Sequence, residues 1–389
     1  MRTSLKIANF RALKDFHVCQ LGRVNLIVGR NNSGKSTVLE AVRIYAGNAH
    51  RGLLEEIAQS HNEKYTVRDP ELNQLQQELP FENFFSGRYF PKEDNQSIII
   101  GDPKSDQPML TLTHVYLLEY QEISSEESGL ADPITRRRPI PKASIPDLSE
   151  QDAVIRQAIM VRKGKENPSY IILDIPRYGR RNIESSGVLP CSFIPTQFVS
   201  MNDLAKVWDN VALTEHEAVV NEALRYIAPD FQGLAFVESD EPRYVAPGRR
   251  EIQRVAKVAM SDSPRPISLN SLGDGMLRVL QLILHVFQAR GGFLLIDEFE
   301  NGLHYTIQEN IWSLIFRLAE QLNIQVFATT HGWDCVESFS KVAKAQTETS
   351  AVLFRVGKSA KASNAGQIMA TSFNKEQLYN ITQLDAEVR

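Results

Sequence analysis

Residues Gly29-Arg30-Asn31-Asn32-Ser33-Gly34-Lys35-Ser36 set two glycines five positions apart, followed at once by a lysine and a hydroxyl residue. Glycines at those two places let the backbone turn so tightly that successive amide N–H groups point inward, a cradle for phosphate oxygens. The helix expected to start at Gly34 adds the positive end of its dipole to the same spot. Lys35 has the reach for β- and γ-phosphates, and the Ser36 hydroxyl can ligand Mg²⁺. Asn31, Asn32, Ser33 and Thr37 complete the set that would line a bound ATP.

Three further groups could serve the same chemistry. In GGFLLIDEFE an apolar run ends on Asp297 and Glu298. At the carboxyl end of a parallel strand such acids converge on the edge that holds the phosphate loop. Asp297 would hold Mg²⁺ directly or through water, and Glu298 would polarise the attacking water. Upstream, Ser271 and Gly273 stand before the apolar stretch GMLRVLQLILHVF, where a helix N-terminus offers another anion surface. A plain helix cap is the competing reading of Ser271. Last, VFATTH ends a buried run on His331, placed to hydrogen-bond the γ-phosphate or the water that Glu298 orients.

The elements that must carry these residues follow from periodicity. Residues 4–9, 16–21 and 24–28 read as strands, and 34–45 as a helix with Val38, Leu39, Val42 and Tyr45 on one face. The polar stretch 50–79 reads as surface helices, and 97–101 and 109–120 as strands. Residues 121–151 lose periodicity and read as a loop or insertion. Strands are expected within 153–199, helices within 203–227, and β structure again at 234–237 and 250–260. A helix over 276–287, a strand over 293–296, a helix over 305–322 and a strand over 324–328 return the chain to α/β character. Residues 349–356 and 367–370 close it as strands. No internal repeat and no sustained heptad is present.

The chain has 389 residues, of which 42% are hydrophobic, enough for a large core. Its net charge of -4 gives no global basic footprint for nucleic acid. The three cysteines are widely spaced, which excludes a zinc ribbon or disulfide framework and suits a reducing cytoplasm. The N-terminus is too polar for a signal peptide, and no apolar run approaches the roughly 20 residues of a membrane span. A soluble, cytoplasmic protein with no membrane contact is expected.

The order GRNNSGKS, NSLGD, FLLIDE, ENGLH and TTH resembles ABC-type ATPases, matching their Walker A, signature, Walker B, D-loop and switch histidine. With the opening LKIANFRALKDFHV, it looks like the DNA-associated branch: SMC heads, RecF-type repair proteins and overcoming-lysogenisation-defect (OLD) ATPases. The resemblance covers residues 1–45 and 265–335 most specifically. It implies an α/β fold: a P-loop ABC ATPase head with a mixed central sheet, an antiparallel β subdomain and a helical lobe. It also implies that Arg11 lies near the nucleotide, and that ATP is sandwiched between two copies, as a homodimer or higher homo-oligomer. The signature departs from L-S-G-G-Q, keeping only Ser271 and Gly273. Residues 332–389 lack the acidic strand ends of a Toprim nuclease, so a stand-alone ATPase with a separately encoded effector, such as a Toprim-type nuclease, is expected.

Three segments are anticipated: 1–120 with Walker A, an inserted β/helical lobe over 121–260, and 261–389 with the remaining motifs. The resemblance also implies a Q-loop glutamine. Gln74, Gln76 and Gln77 have the right distance from the phosphate loop but read as an exposed helix. TRRRP (135–139), RYGRR (177–181) and GRREIQRVAK (248–257) concentrate positive charge and could contact DNA, or be ordinary solvated loops. The function expected is an ATP-dependent sensor or regulator in DNA maintenance or anti-phage defence. An energising subunit for membrane transport, or a nucleotide-gated scaffold with little turnover, is the alternative.

Overall fold

The computed structural model describes residues 1–63, 65–68, 75–122, 134–145, 154–174, 187–239, 243–246, 249–359, 361 and 364–383. The chain opens with β1 (Leu5–Phe10), β2 (Leu13–Val18) and β3 (Val24–Val28), then α1 (Lys35–Ala46) and α2 (Arg51–Ser60). The pair β4 (Tyr65–Arg68) and β5 (Leu75–Glu78) follows, then β6 (Ile98–Gly101) and β7 (Leu110–Glu122). Next come β8 (Ile134–Ile140), β9 (Val154–Lys163), β10 (Ser169–Ile172) and β11 (Cys191–Ile194). The helices α3 (Met201–Asp209) and α4 (Glu215–Arg225) precede β12 (Phe231–Glu238), β13 (Arg243–Ala246), β14 (Arg249–Glu251), β15 (Arg254–Met260) and β16 (Ile267–Ser268). The last third runs α5 (Asp274–Gln288), β17 (Phe293–Ile296), α6 (Tyr305–Gln321) and β18 (Gln325–Thr329). It ends with α7 (Trp333–Ala345), β19 (Ala351–Lys358), β20 (Ile368–Phe373) and α8 (Lys375–Gln383).

The sheet that positions the chemistry has the order β11-β17-β18-β3-β19-β20. Its first five strands are parallel and only β20 is antiparallel. Strands β3, β17 and β18 are buried at every position, which is why they read as unbroken apolar runs. Because they are parallel, the phosphate loop after β3, the acids after β17 and the histidine after β18 all leave one edge. A second, antiparallel sheet, β10-β9-β7-β6-β1-β2 with β8 on β7, covers the outer face of α1. Helices α3 to α7 pack on the opposite side of the parallel sheet as a second core with β12 and β15.

Several expectations need correction. Residues 65–68 and 75–78 are not surface helix: β4 and β5 pair antiparallel. There, Gln76 and Gln77 lie on β5, and Gln74 lies outside the described residues. Part of the expected 121–151 loop is β8, whose TRRRPI pairs residue for residue with β7 from Tyr116↔Ile140 to Glu122↔Ile134. Arginines hid that strand because its residues 135–139 are exposed, so no apolar alternation marks it. The second strand runs Leu13–Val18, since Phe10 pairs with Leu13 across a turn of only Arg11 and Ala12. The helix α8 also escapes sequence periodicity. Of the segment 177–181 nothing is described.

Candidate active site

Two glycines decide the shape of the loop after β3. Gly29 has φ +151 and Gly34 φ +101, conformations that side-chain-bearing residues rarely adopt. A Cβ at Gly29 would also run into the carbonyl oxygen of Val356 on β19. Asn32, at φ +59, completes the turn that delivers the chain to α1. Lys35, the first residue of that helix, is 5% exposed, and its ammonium donates to the carbonyls of Gly29 (2.8 Å) and Arg30 (3.1 Å). It thus points into the turn that carries the loop's amides, where incoming phosphate oxygens would replace those carbonyls as partners.

The acids and the histidine converge on this lysine. Ser36 Oγ lies 3.2 Å from both carboxylate oxygens of Asp297. Lys35 Nζ lies 3.4 Å from His331 Nδ1, and His331 Nε2 lies 3.4 Å from Glu298 Oε1. These partners assign the imidazole as accepting at Nδ1 and donating from Nε2. A chain lysine–histidine–glutamate therefore runs along the sheet edge, joining residues 296 positions apart in sequence.

Glu298 sits in a left-handed conformation, φ +49, which for a non-glycine residue costs on the order of 1–3 kcal/mol. Its neighbours hold it there. Its amide donates to Thr329 Oγ1 (2.8 Å), and its carbonyl accepts from the Arg278 guanidinium (2.8 Å). Behind it, Phe299 is fully buried and stacked on Trp312, with ring centroids 3.8 Å apart. Burying such a ring contributes about 1.5–3 kcal/mol, enough to offset the backbone strain.

Four residues at this site have roles that the sequence motifs did not assign. Thr329 Oγ1 also donates to Asp297 Oδ1 (2.7 Å), so one hydroxyl orients both acids. Arg278, fully buried on α5, donates to the carbonyls of Pro195, Asp297 and Glu298, and burial lowers its pKa to about 10. It ties the helix behind Ser271 and Gly273 to the backbone of both acids; a lone arginine inside GMLRVLQLILHVF was the available signal. Glu300 Oε1 accepts from the amides of His331 (2.7 Å) and Gly332 (2.8 Å), fixing where the histidine stands. Thr196, just past β11, donates to Asp297 Oδ2 at 3.4 Å, and the exposed Gln197 follows it.

Ser271 and Gly273 lie in a different place. Ser271 is exposed in a short 3-10 turn, Leu269–Leu272, and α5 begins only at Asp274. The N-cap is Gly273 (φ +88), so the reading of Ser271 as a cap is corrected. Among the described residues its hydroxyl has no hydrogen-bond partner. Arg11 occupies the β1–β2 turn at φ +48, with its guanidinium 3.1 Å from Glu40 on α1 and from Glu63 and lying over the Phe84 ring. It thus braces the flank of α1. The arginine patch on β8 is partly neutralised, because Arg137 bonds Glu119 at 2.8 Å.

Burial lowers the Lys35 pKa from the ordinary 10.5, against the opposing pull of Asp297, Glu298 and Glu300. Phosphate binds the charged ammonium, so ATP affinity should be full at neutral pH and fall as pH rises through that lowered value. Fluorescent-nucleotide titrations from neutral to alkaline pH should show affinity declining before pH 10.5 is reached. Affinity constant up to that pH would separate Lys35 from the phosphates.

Comparison with known proteins places the chain among ATPases. Residues 1–174 match a family model described as "AAA ATPase domain". Residues 197–331 match one described as "AAA domain, putative AbiEii toxin, Type IV TA system". An ATP/GTP phosphatase of Helicobacter pylori is 22% identical over 366 residues, covering 88% of this chain and 89% of that protein. Similar solved structures include an SMC head bound to the C-winged helix domain of ScpA, with TM-score 0.47 and 11% identity over 98% of this chain and 99% of that one. The SMC head domain from Thermotoga maritima gives TM-score 0.41 and 12% identity over 96% of this chain and 100% of that one. No described helix is long and apolar enough to cross a membrane. The chain is a P-loop ATPase, and it hydrolyses ATP.

Proposed function

We propose that this ATPase works as an ATP-dependent homodimer, a regulator in DNA maintenance or defence that acts on a separate effector protein. The observation carrying the reading is the lysine–histidine–glutamate chain on one hand and, away from it at the head of α5, an exposed Ser271 with no partner among the described residues. One subunit supplies everything that grips phosphate and activates water. Its Ser271 makes no described bond to its own phosphate loop, so the serine and the start of α5 are free to meet the nucleotide of a second copy.

In this mechanism Glu298 orients a water for in-line attack on the γ-phosphate and draws off its proton as the P–O bond to the leaving ADP breaks. Lys35 and His331 bear on the γ-phosphate oxygens where charge gathers. Glu300 and Thr329 keep His331 and Glu298 in place, and the backbone amides of Gly29 to Lys35 fix the phosphates. Ser36 and Asp297, with Thr196 at hand, form an all-oxygen donor set that suits Mg²⁺, a small hard cation. Such a cation, when bound, would neutralise phosphate charge. The Helicobacter pylori relative is named for both ATP and GTP, so GTP is the second substrate to try.

Ser271→Arg tests the composite site. A bulky cation there should leave ATP binding by the single chain nearly intact while blocking the closed dimer and turnover. Nucleotide titration, size-exclusion chromatography with ATP and phosphate release read these separately. Mixing Ser271→Arg with Lys35→Ala subunits should restore part of the activity if one intact site suffices. Wild-type turnover by Ser271→Arg alone would remove the composite-site reading.

A further inference from the structure

On the far side of the phosphate loop from Asp297 and His331 lies a second, differently built surface. A groove of about 950 Å³ runs between residues 30–33 of the loop and the β19–β20 hairpin. Arg30, Arg355, Lys358 and Lys361 line it; all four are exposed, and none pairs with a carboxylate among the described residues. Among the described residues no Asp or Glu lines it. In a chain of net charge -4 this concentration of uncompensated positive charge is local and one-sided. The β8 patch is different, since Glu119 already engages both Arg137 and Arg156 there.

The groove also carries a polar group without a partner. Ser33 is 6% exposed, lines the groove, and its Oγ bonds to no described atom. A buried hydroxyl left unsatisfied costs about 1–3 kcal/mol, so an acceptor from a ligand is its natural complement. Among the described residues the lining has no aromatic ring, and Met369 is its one exposed large apolar side chain. Such a wall has nothing to stack a flipped base on, and little apolar surface to seat a peptide's side chains. Guanidinium and ammonium groups beside hydroxyl donors instead match phosphodiester oxygens.

We propose that this groove binds the backbone of double-stranded nucleic acid, independent of sequence, and that its occupation acts on the phosphate loop. The coupling is short. Arg30 and Ser33 belong to both surfaces, and the Arg30 carbonyl accepts from the Lys35 ammonium. A duplex phosphate drawn to Arg30 and Ser33 therefore bears on the loop that must receive ATP. The inference deepens the DNA-maintenance reading and rests on it for the purpose of the contact, though not for the binding itself.

The test uses the full chain and a fluorescein-labelled duplex DNA of random sequence, titrated by anisotropy without nucleotide at several salt concentrations. Four phosphate contacts predict a log–log salt slope near −3.6, about 0.9 per contact. Lys358→Glu/Lys361→Glu should weaken binding at least about tenfold and flatten the slope by about 1.8, while basal ATP turnover stays at wild-type level. Saturating duplex should change wild-type turnover and leave that of the double variant unmoved. Duplex affinity and slope unchanged in the variant would overturn the proposal. So would displacement of the duplex by equimolar polyglutamate or tripolyphosphate, which would mark an acidic protein segment or a free polyphosphate as the occupant. Single-stranded DNA binding more tightly than duplex would overturn it as well. Because binding is read without ATP, loss of the composite site in the Ser271→Arg experiment would leave this result standing, and the converse holds.

Discussion

Replacing Lys35 by alanine should abolish turnover, lowering phosphate release by about 100-fold or more, the scale on which one charge-stabilising donor acts at a reacting centre. The geometry explains why nothing compensates. Asp297, Glu298 and Glu300 all bear electrostatically on this ammonium, and without it they would face a polyanionic substrate unopposed. Arg278, the other buried cation nearby, has its guanidinium committed to three backbone carbonyls. His331 would lose its Nδ1 partner and the register that the contact sets. Calorimetric titration with ATP and a phosphate-release assay on the purified variant check this, with thermal unfolding to confirm that it folds. Near wild-type hydrolysis would sink the assignment of the phosphate loop.

Glu298→Gln should separate binding from chemistry. The amide keeps the shape of the side chain and can still accept from His331 Nε2, and the backbone remains held by Thr329 and Arg278. It is, however, a far poorer proton acceptor, so hydrolysis should slow by about 10²–10⁴-fold while ATP affinity changes little. On the dimer reading, ATP should then trap an assembly that size-exclusion chromatography resolves from the free chain. Turnover equal to wild type would pass the water-orienting role to another residue, of which His331 is nearest.

The two variants probe features that differed in legibility. Gly29, Gly34, Lys35 and Ser36 are contiguous, and their roles depend on local geometry: left-handed glycines, a strand before and a helix after. A short stretch of chain suffices to specify that. Asp297, Glu298 and His331 were readable because buried parallel strands are unbroken apolar runs and their ends share an edge. Residues 65–68, 75–78 and 134–140 escape such a reading because antiparallel pairing, rather than any periodic apolar face, makes them strands.

Sequence alone marked a loop shaped for a nucleoside triphosphate and proposed which acids and histidine would meet it, because each is announced by residue types at fixed local spacing. Only the tertiary structure decided what holds those groups in working positions. Thr329 orients both acids, Glu300 seats the histidine, Arg278 links α5 to the acids, and Thr196 arrives from β11, a strand that joins the parallel sheet beside β17. None of these roles is fixed by the sequence, even where the residue falls inside a motif, since a threonine, a glutamate or an arginine is chemically ordinary until folding gives it a partner. Their roles exist only as distances between residues remote along the chain, and such distances are set by strand order and packing.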